Sequence, residues 1–208
     1  MRFFKRFYDI SYFNTWVEKL PLDKVYIRQK VDLIRSLKSS GRLLEIGCGN
    51  GELLKSLKKF YSVSGVDISH SAITETSKHI NKKHLKVMDI EKKNISGKYD
   101  IILAFDLLEH LRNPRKAIKK IKRTLNKDGI FIFSVPNKYG LYGRLATGFF
   151  NFVDKTHIST YERSRWIGLM EKEGFKLDVR NQSMFGIIKS GIGKFISFNL
   201  FVIAKKTG

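Results

Sequence analysis

The stretch Leu43 to Glu52, LLEIGCGNGE, sets three glycines at alternate positions behind a short apolar run and ahead of an amphipathic segment. An apolar run of strand length, glycine punctuation and then helical periodicity read as strand, tight loop and helix. Glycines lacking a β-carbon let a ligand lie against the loop, and the following helix is expected to offer free N–H groups. The spacing departs from the dinucleotide pattern G-x-G-x-x-G, because the third glycine falls one position early and Glu52 takes its slot. A carboxylate there would face a pyrophosphate. Glu45, ahead of the first glycine, suits a ligand that carries positive charge.

Outward from this loop, extended and helical patterns alternate. Helical periodicity over Asp23 to Leu37 ends at the turn Ser39-Ser40-Gly41, and Arg42 to Ile46 is the first strand. A helix is expected over Glu52 to Phe60, a strand over Ser62 to Val66, a helix over Ser69 to Ile80 and a strand over His84 to Met88. Tyr99 to Phe105 is the fourth strand. Asn113-Pro114 opens a helix with a capping residue and a proline at its first position; Asp128-Gly129 is expected to close it before the strand Ile130 to Val135. A helix over Glu162 to Lys172 precedes two last strands, Phe175 to Asn181 and Phe198 to Lys205. The order predicts an α/β fold with a doubly wound, mostly parallel sheet and helices on both faces, ligands lying at the carboxyl ends of the strands.

Composition narrows the class. The chain has 208 residues, is 42% hydrophobic and carries a formal charge of +21. One cysteine, Cys48, excludes an intramolecular disulfide framework, and no Cys/His cluster has structural-zinc spacing. No apolar run reaches membrane-spanning length, so a soluble, cytoplasmic protein is expected, with peripheral membrane contact compatible with the charge. From Arg112 to Lys127 there are eight cations and no acid, while Ala117, Ile118, Ile121 and Leu125 recur at helical spacing. That pattern is a core-docked helix with a basic outer face, open to two readings: solvation alone, or a polyanionic partner.

The sequence Glu45-Ile46-Gly47-Cys48-Gly49-Asn50-Gly51 resembles the first motif of the class I S-adenosylmethionine-dependent methyltransferases, in the quinone-biosynthesis-like branch of type 11 and type 23 domains. Later segments resemble further motifs in the same order: Ser64-Gly65-Val66-Asp67-Ile68, Lys86-Val87-Met88-Asp89-Ile90, Tyr99 to Leu111 and Phe133 to Asn137. The resemblance implies a Rossmann-like sheet of seven strands with an antiparallel last strand. It implies S-adenosylmethionine as cofactor, S-adenosylhomocysteine as product, and cofactor contacts from Glu45, Gly47, Cys48, Gly49, Gly51, Asp67, Ile68, Met88, Asp89, Ile90, Phe105 and Asp106. Asp67 would accept from the ribose hydroxyls, or else cap the following helix. Asp89 would accept from the adenine amino group, or else sit in a surface turn. Cys48 is expected to be a packing residue and no nucleophile.

Catalysis of methyl transfer rests on alignment and exclusion of water, with a base needed where the acceptor loses a proton. His157, in Asp154-Lys155-Thr156-His157, resembles a family segment that borders the acceptor pocket, and His110 follows the fourth strand. Asp106, Glu109 and His110 resemble a metal-holding set of some relatives; the alternative is a capping Asp106 and a structural His110. No metal is assigned.

Residues 1–40 are expected to form an N-terminal helical cap and 41–208 the catalytic domain, with a lid-like insert over 139–160 and a further insert over 182–197. The inserts and Phe3-Phe4-Lys5-Arg6-Phe7-Tyr8 combine apolar residues with cations, as contact with a lipid-soluble acceptor or an anionic membrane requires. The expected function is methylation of a small, apolar, quinone- or lipid-like acceptor, oxygen being the favoured atom. Two alternatives stand beside it. RNA methylation is suggested by the charge, yet no Asn/Asp-Pro-Pro-Tyr motif occurs and nucleic acid is not the favoured partner. A non-catalytic cofactor-binding regulator is the other.

Overall fold

In the computed structural model, residues 22–137, 158–159, 161–183, 186–188 and 199–207 are described. They group into two compact units divided between Lys93 and Asn94.

The first unit opens with α1 (Leu22–Leu37), whose Ile34 is fully buried. β1 (Arg42–Ile46) is buried at every position after Arg42, as a strand covered on both faces must be. β2 (Ser62–Asp67) runs parallel to β1 with Val66 opposite Ile46, and β3 (Leu85–Val87) runs parallel to β2 with Val87 opposite Asp67. The carboxyl ends are stitched together by main-chain bonds: Gly47 N–H donates to the Val66 carbonyl at 2.8 Å and Met88 N–H to the Asp67 carbonyl at 2.7 Å.

Both helices of this unit are shorter than their sequence patterns predict. α2 (Glu52–Leu57) stops before Phe60, because the N–H groups of Phe60 and Tyr61 both return to the Leu57 carbonyl and swing Tyr61 into the core. α3 (His70–Thr76) stops before Ile80, where Lys78 and His79 bond back three residues and tighten the last turn. Ser69 caps α3 by accepting from Ala72 N–H at 3.3 Å. A 3₁₀ turn, Lys82–His84, takes up His84, so β3 begins one residue later than expected.

In the second unit the strand order is β4-β5-β8-β6-β7. β4 (Tyr99–Phe105) and β5 (Leu125–Pro136) are parallel; β8 (Asn199–Lys206) is antiparallel to β5, and β6 (Phe175–Ser183) antiparallel to β8. The antiparallel last strand is as the sequence predicts. A short addition, β7 (Gly186–Ile188), pairs with the end of β6 inside the segment read as an insert. Asn113 caps α4 (Pro114–Thr124) by accepting from Lys116 N–H at 3.0 Å, and Pro114 takes the first turn, as expected.

That helix ends at Thr124, ahead of the expected stop at Asp128-Gly129. Leu125 turns fully inward and pairs with Tyr99, and the register then shifts so that Ile130 lies opposite Ile101. Gly129 permits this: a β-carbon there would meet Leu125 Cδ2 at 2.9 Å. α5 (Arg163–Lys172) buries Trp166 against Phe133 and Tyr161.

Among the described residues no helix is long and apolar enough to cross a membrane. The N-terminal Phe3 to Tyr8, the lid-like stretch Tyr139 to Val153, His157 and most of the 182–197 insert lie outside the described residues.

Candidate functional site

The three alternate glycines all adopt left-handed backbone: φ is 75° at Gly47, 52° at Gly49 and 80° at Gly51. The alternation is therefore demanded by the loop itself, since other L-residues rarely adopt these angles. At Gly51 packing adds a second reason, because a β-carbon would sit 2.6 Å from Thr76 Cγ2 and 2.8 Å from Thr76 Oγ1.

The amides of the loop itself are engaged within the protein, and so is that of Glu52 at the helix start. Gly47 and Cys48 both donate to the Val66 carbonyl, Gly51 to the Cys48 carbonyl, Gly49 to Asp67 Oδ2 at 3.0 Å and Glu52 to Asn50 Oδ1 at 3.3 Å. Amides spent in this way cannot wrap a phosphate, so the loop is a close-approach surface and not an anion cradle.

Carboxylates dominate the electrostatics of this edge. Asp67 is nearly buried and accepts from Gly49 N–H through Oδ2 and from Ser69 N–H at 2.8 Å through Oδ1. Burial raises its pKa even though Ser69, Gly49 and Ile68 N–H groups favour the charged form. Capping of α3 falls to Ser69, so Asp67 ties the glycine loop to the start of that helix and is not itself the cap.

Glu45, 6% exposed, is pushed up to about 8 by burial, with Lys30 opposing and Asp67 reinforcing the shift. Its Oε2 has no hydrogen-bond partner among the described residues. The Cys48 thiol is pushed far up by burial and by the neighbouring Glu45 and Asp67, which makes it a poor nucleophile. Its sulfur lies 3.9 Å from Thr76 Oγ1.

Beside these carboxylates, Ile68 stays 38% exposed, while Met88 and Ile90 are buried at 5% each. Asp89 Oδ1 accepts from Glu91 N–H at 2.9 Å, and Oδ2 pairs with Lys92 at 2.8 Å. Burial would raise its pKa, but the Lys92 and Glu91 contacts outweigh it and the net shift is downward. Asp89 thus sits in a turn at the carboxyl end of β3. Together these residues offer one exposed apolar side chain, Ile68, over buried Met88 and Ile90, beside carboxylate acceptors, which fit a ligand bearing an uncharged ring, hydroxyls and a positive charge.

In the second unit, Phe105 stacks on Phe201 at 5.5 Å, and Asp106 follows at φ 47°, an unusual angle for a residue with a side chain. Asp106 Oδ1 accepts from Ser134 Oγ at 2.9 Å and Asn199 Nδ2 at 3.0 Å, while Asp106 N–H donates to Ser134. The helix-cap reading of Asp106 does not hold; its carboxylate is held by β5 and β8. Glu109 is buried, and its carbonyl accepts from Ile158 N–H at 3.0 Å and Ser159 N–H at 2.8 Å. Ser159 Oγ also donates to the Leu111 carbonyl at 2.6 Å. His110 ends a 3₁₀ turn, Leu108–His110, half-buried. Among the described residues no three His, Cys, Asp or Glu side chains gather around a common point for a metal ion.

Sequence reasoning missed Thr76, Lys30, Ser134 and Asn199. Thr76 donates to the Gly49 carbonyl at 2.8 Å and fills the space under Gly51. No local pattern marks these four, because each acts on a residue distant in the chain.

The family described as "Methyltransferase domain" matches residues 19–179. The ubiquinone biosynthesis O-methyltransferase of Glaesserella parasuis is 30% identical over 129 residues, 57% of this chain and 53% of that protein. Its counterpart from Coxiella burnetii is 32% identical over 124 residues, 57% of this chain and 51% of that protein. The chain thus spans about half the length of the curated relatives it matches. Among solved structures, a Thermotoga maritima S-adenosylmethionine-dependent methyltransferase, a possible histamine N-methyltransferase by its description, superimposes with TM-score 0.74 over 99% of both chains at 20% identity. The N-methyltransferase NodS of Bradyrhizobium japonicum, solved with S-adenosyl-L-homocysteine, gives 0.69 over 100% of this chain and 98% of that one at 16% identity. At these identities the likeness establishes the fold, the Rossmann-like doubly wound α/β arrangement expected from the sequence.

Proposed function

We infer that this chain, which belongs to the family of S-adenosylmethionine-dependent methyltransferases, transfers a methyl group to a small, apolar, quinone- or lipid-like acceptor, with oxygen as the atom methylated. The relatives named as ubiquinone biosynthesis O-methyltransferases support that acceptor class, over about half their length.

The observation that carries the cofactor assignment is the pairing of two buried acids with a glycine loop whose amides are already bonded. S-adenosylmethionine has an ammonium, a sulfonium, a vicinal diol and no phosphate, and each of those features suits this edge. Asp67 is assigned to the ribose hydroxyls, releasing Gly49 N–H or sharing the carboxylate with it. Glu45 is assigned to the positive amino-acid end. A neutral carboxylic acid in the free protein, it ionises when a cation arrives to offset its burial. Ile68, Met88 and Ile90 border the adenine, and Asp89 accepts from its amino group. Gly47, Cys48, Gly49 and Gly51 form the surface against which the cofactor lies.

When bound, the cofactor supplies an electrophilic methyl group: the acceptor oxygen gains a bond to carbon as the carbon–sulfur bond breaks, and S-adenosylhomocysteine departs. The acceptor's hydroxyl proton is assigned to His157 or His110 as base. The remaining requirement is alignment in a dry pocket.

The test is incubation of the protein with methyl-labelled S-adenosylmethionine and whole-cell extract, followed by partition between organic and aqueous phases. Label in the organic phase is expected. Label confined to RNA or protein would overturn the acceptor class, and retention of cofactor without transfer to any fraction would make the chain a cofactor-binding regulator.

A further inference from the structure

At the amino end of β2 in the first unit lies a cleft of about 240 Å³ lined by Lys58, Tyr61, Ser62, Val63, His79, Ile80, Asn81 and His84. None of the residues assigned above to the cofactor lines it, since those follow the carboxyl ends of the strands. Its polar lining can donate hydrogen bonds from Lys58, Ser62, His79, Asn81 and His84, while the Tyr61 hydroxyl donates to the Lys38 carbonyl, and it contains no carboxylate. The two chain segments that form it, Leu53 to Val66 and Thr76 to Met88, contain seven lysines, two histidines and not one acid.

Most of this positive charge has nothing to neutralise it. Lys55 and Lys78 are paired with Glu52 and Glu75, but Lys59, Lys82, Lys83 and Lys86 are exposed and make no ion pair within the described residues. Two features show the lining to be held in place. Lys58 Nζ donates to the His79 carbonyl at 2.9 Å, which pins the ammonium at the wall with further N–H bonds to give. Asn81 Oδ1 accepts from Lys83 N–H at 3.1 Å, which turns the donor end of that amide to other partners. Glu52 Oε1 lies 3.5 Å from His79 Nε2, but Glu52 does not itself line the cleft.

We propose that this cleft is a second binding site, for a phosphate group, either the free ion or one carried by a small soluble molecule. A charge-dense, donor-lined pocket without acceptor carboxylates favours an anion with several acceptor oxygens. Its volume is below that of sites for drug-sized ligands and matches a phosphate with a few attached atoms. The site is independent of the cofactor reading and survives if that reading fails.

The experiment is calorimetric titration of the full chain with inorganic phosphate and with glycerol 3-phosphate, at an ionic strength fixed with sodium chloride. S-adenosylhomocysteine is titrated in parallel. Saturable binding at one site is expected, weakened about tenfold or more in the double variant Lys58→Met/His84→Gln, with S-adenosylhomocysteine affinity unchanged. Tighter binding of glycerol 3-phosphate would make the ligand a phosphate ester, and tighter binding of inorganic phosphate would make it the free ion. Absence of saturable binding, or equal binding by the double variant, overturns the proposal. So does the finding that only RNA binds, with a steep salt dependence the variant leaves intact, because the charge would then act as a diffuse polyanion surface.

Discussion

The Asp67 carboxylate accepts a hydrogen bond from the backbone N–H of Gly49 at 3.0 Å, joining the end of β2 to the glycine loop that follows β1. A buried acid bonded to the loop it faces is already aligned before any ligand arrives, so both the stability of the loop and its affinity depend on it.

Asp67→Asn tests that link. An amide can place NH₂ against Gly49 N–H, or turn it toward Ser69 N–H, and in either orientation two donors meet in a site that is nearly buried. The expected cost is about 1–3 kcal/mol of folding stability. A fall of about tenfold or more in S-adenosylhomocysteine affinity is expected with it. Urea unfolding and calorimetric titration read the two effects separately. Full affinity in the variant would remove Asp67 from the ribose.

Glu45 makes a pH prediction whose sign is fixed by the direction of its shift. Its folded pKa, about 8, lies above the ordinary value of 4.5, so the folded state holds this proton more tightly than the unfolded chain. Its contribution to stability is fully present below pH 4.5 and declines as pH rises toward about 8. Glu45→Gln should therefore match the parent protein in acid and exceed it in thermal stability above pH 8. Melting curves of the two ligand-free proteins from acid to alkaline pH provide the comparison; a difference that does not vary with pH would show that Glu45 titrates alike in the folded and unfolded chain.

Gly51→Ala puts a methyl group 2.6 Å from Thr76 Cγ2 at a φ of 80°. Strain and overpacking together predict a loss of about 2–4 kcal/mol. In a double-mutant cycle with Thr76→Ala the effects should be non-additive, because part of the cost is the contact with Thr76. Additive effects would assign the whole cost to the backbone angle.

Cys48 should resist thiol reagents in the native state, being 6% exposed and held in the thiol form by burial and by Glu45 and Asp67. Reaction with an aromatic disulfide reagent is expected only on adding denaturant. Native-state labelling at the rate of a free thiol would mean that the glycine loop opens readily.

The strands and helices could be read from the sequence because their signals are local: apolar runs mark β1 and β4, Asn113-Pro114 marks the start of α4, and three glycines mark a loop with positive φ. Helix ends were less legible. α4 stops at Thr124 because Leu125 is drawn into the core opposite Tyr99, a residue from another strand.

The sequence by itself determined the alternating α/β order, the loop, and the acids near the ends of β1, β2 and β3, since each depends on neighbours a few positions away. The tertiary structure alone decided what those residues experience. Thr76 fills the space under Gly51, the loop amides are spent on Val66 and Asp67, and burial pushes the Glu45 carboxyl up. In the second unit, Ser134 and Asn199 converge on Asp106 from β5 and β8. The physical reason is that desolvation and hydrogen bonding depend on which groups share a volume, and the pairing of strands brings together groups that the chain keeps far apart.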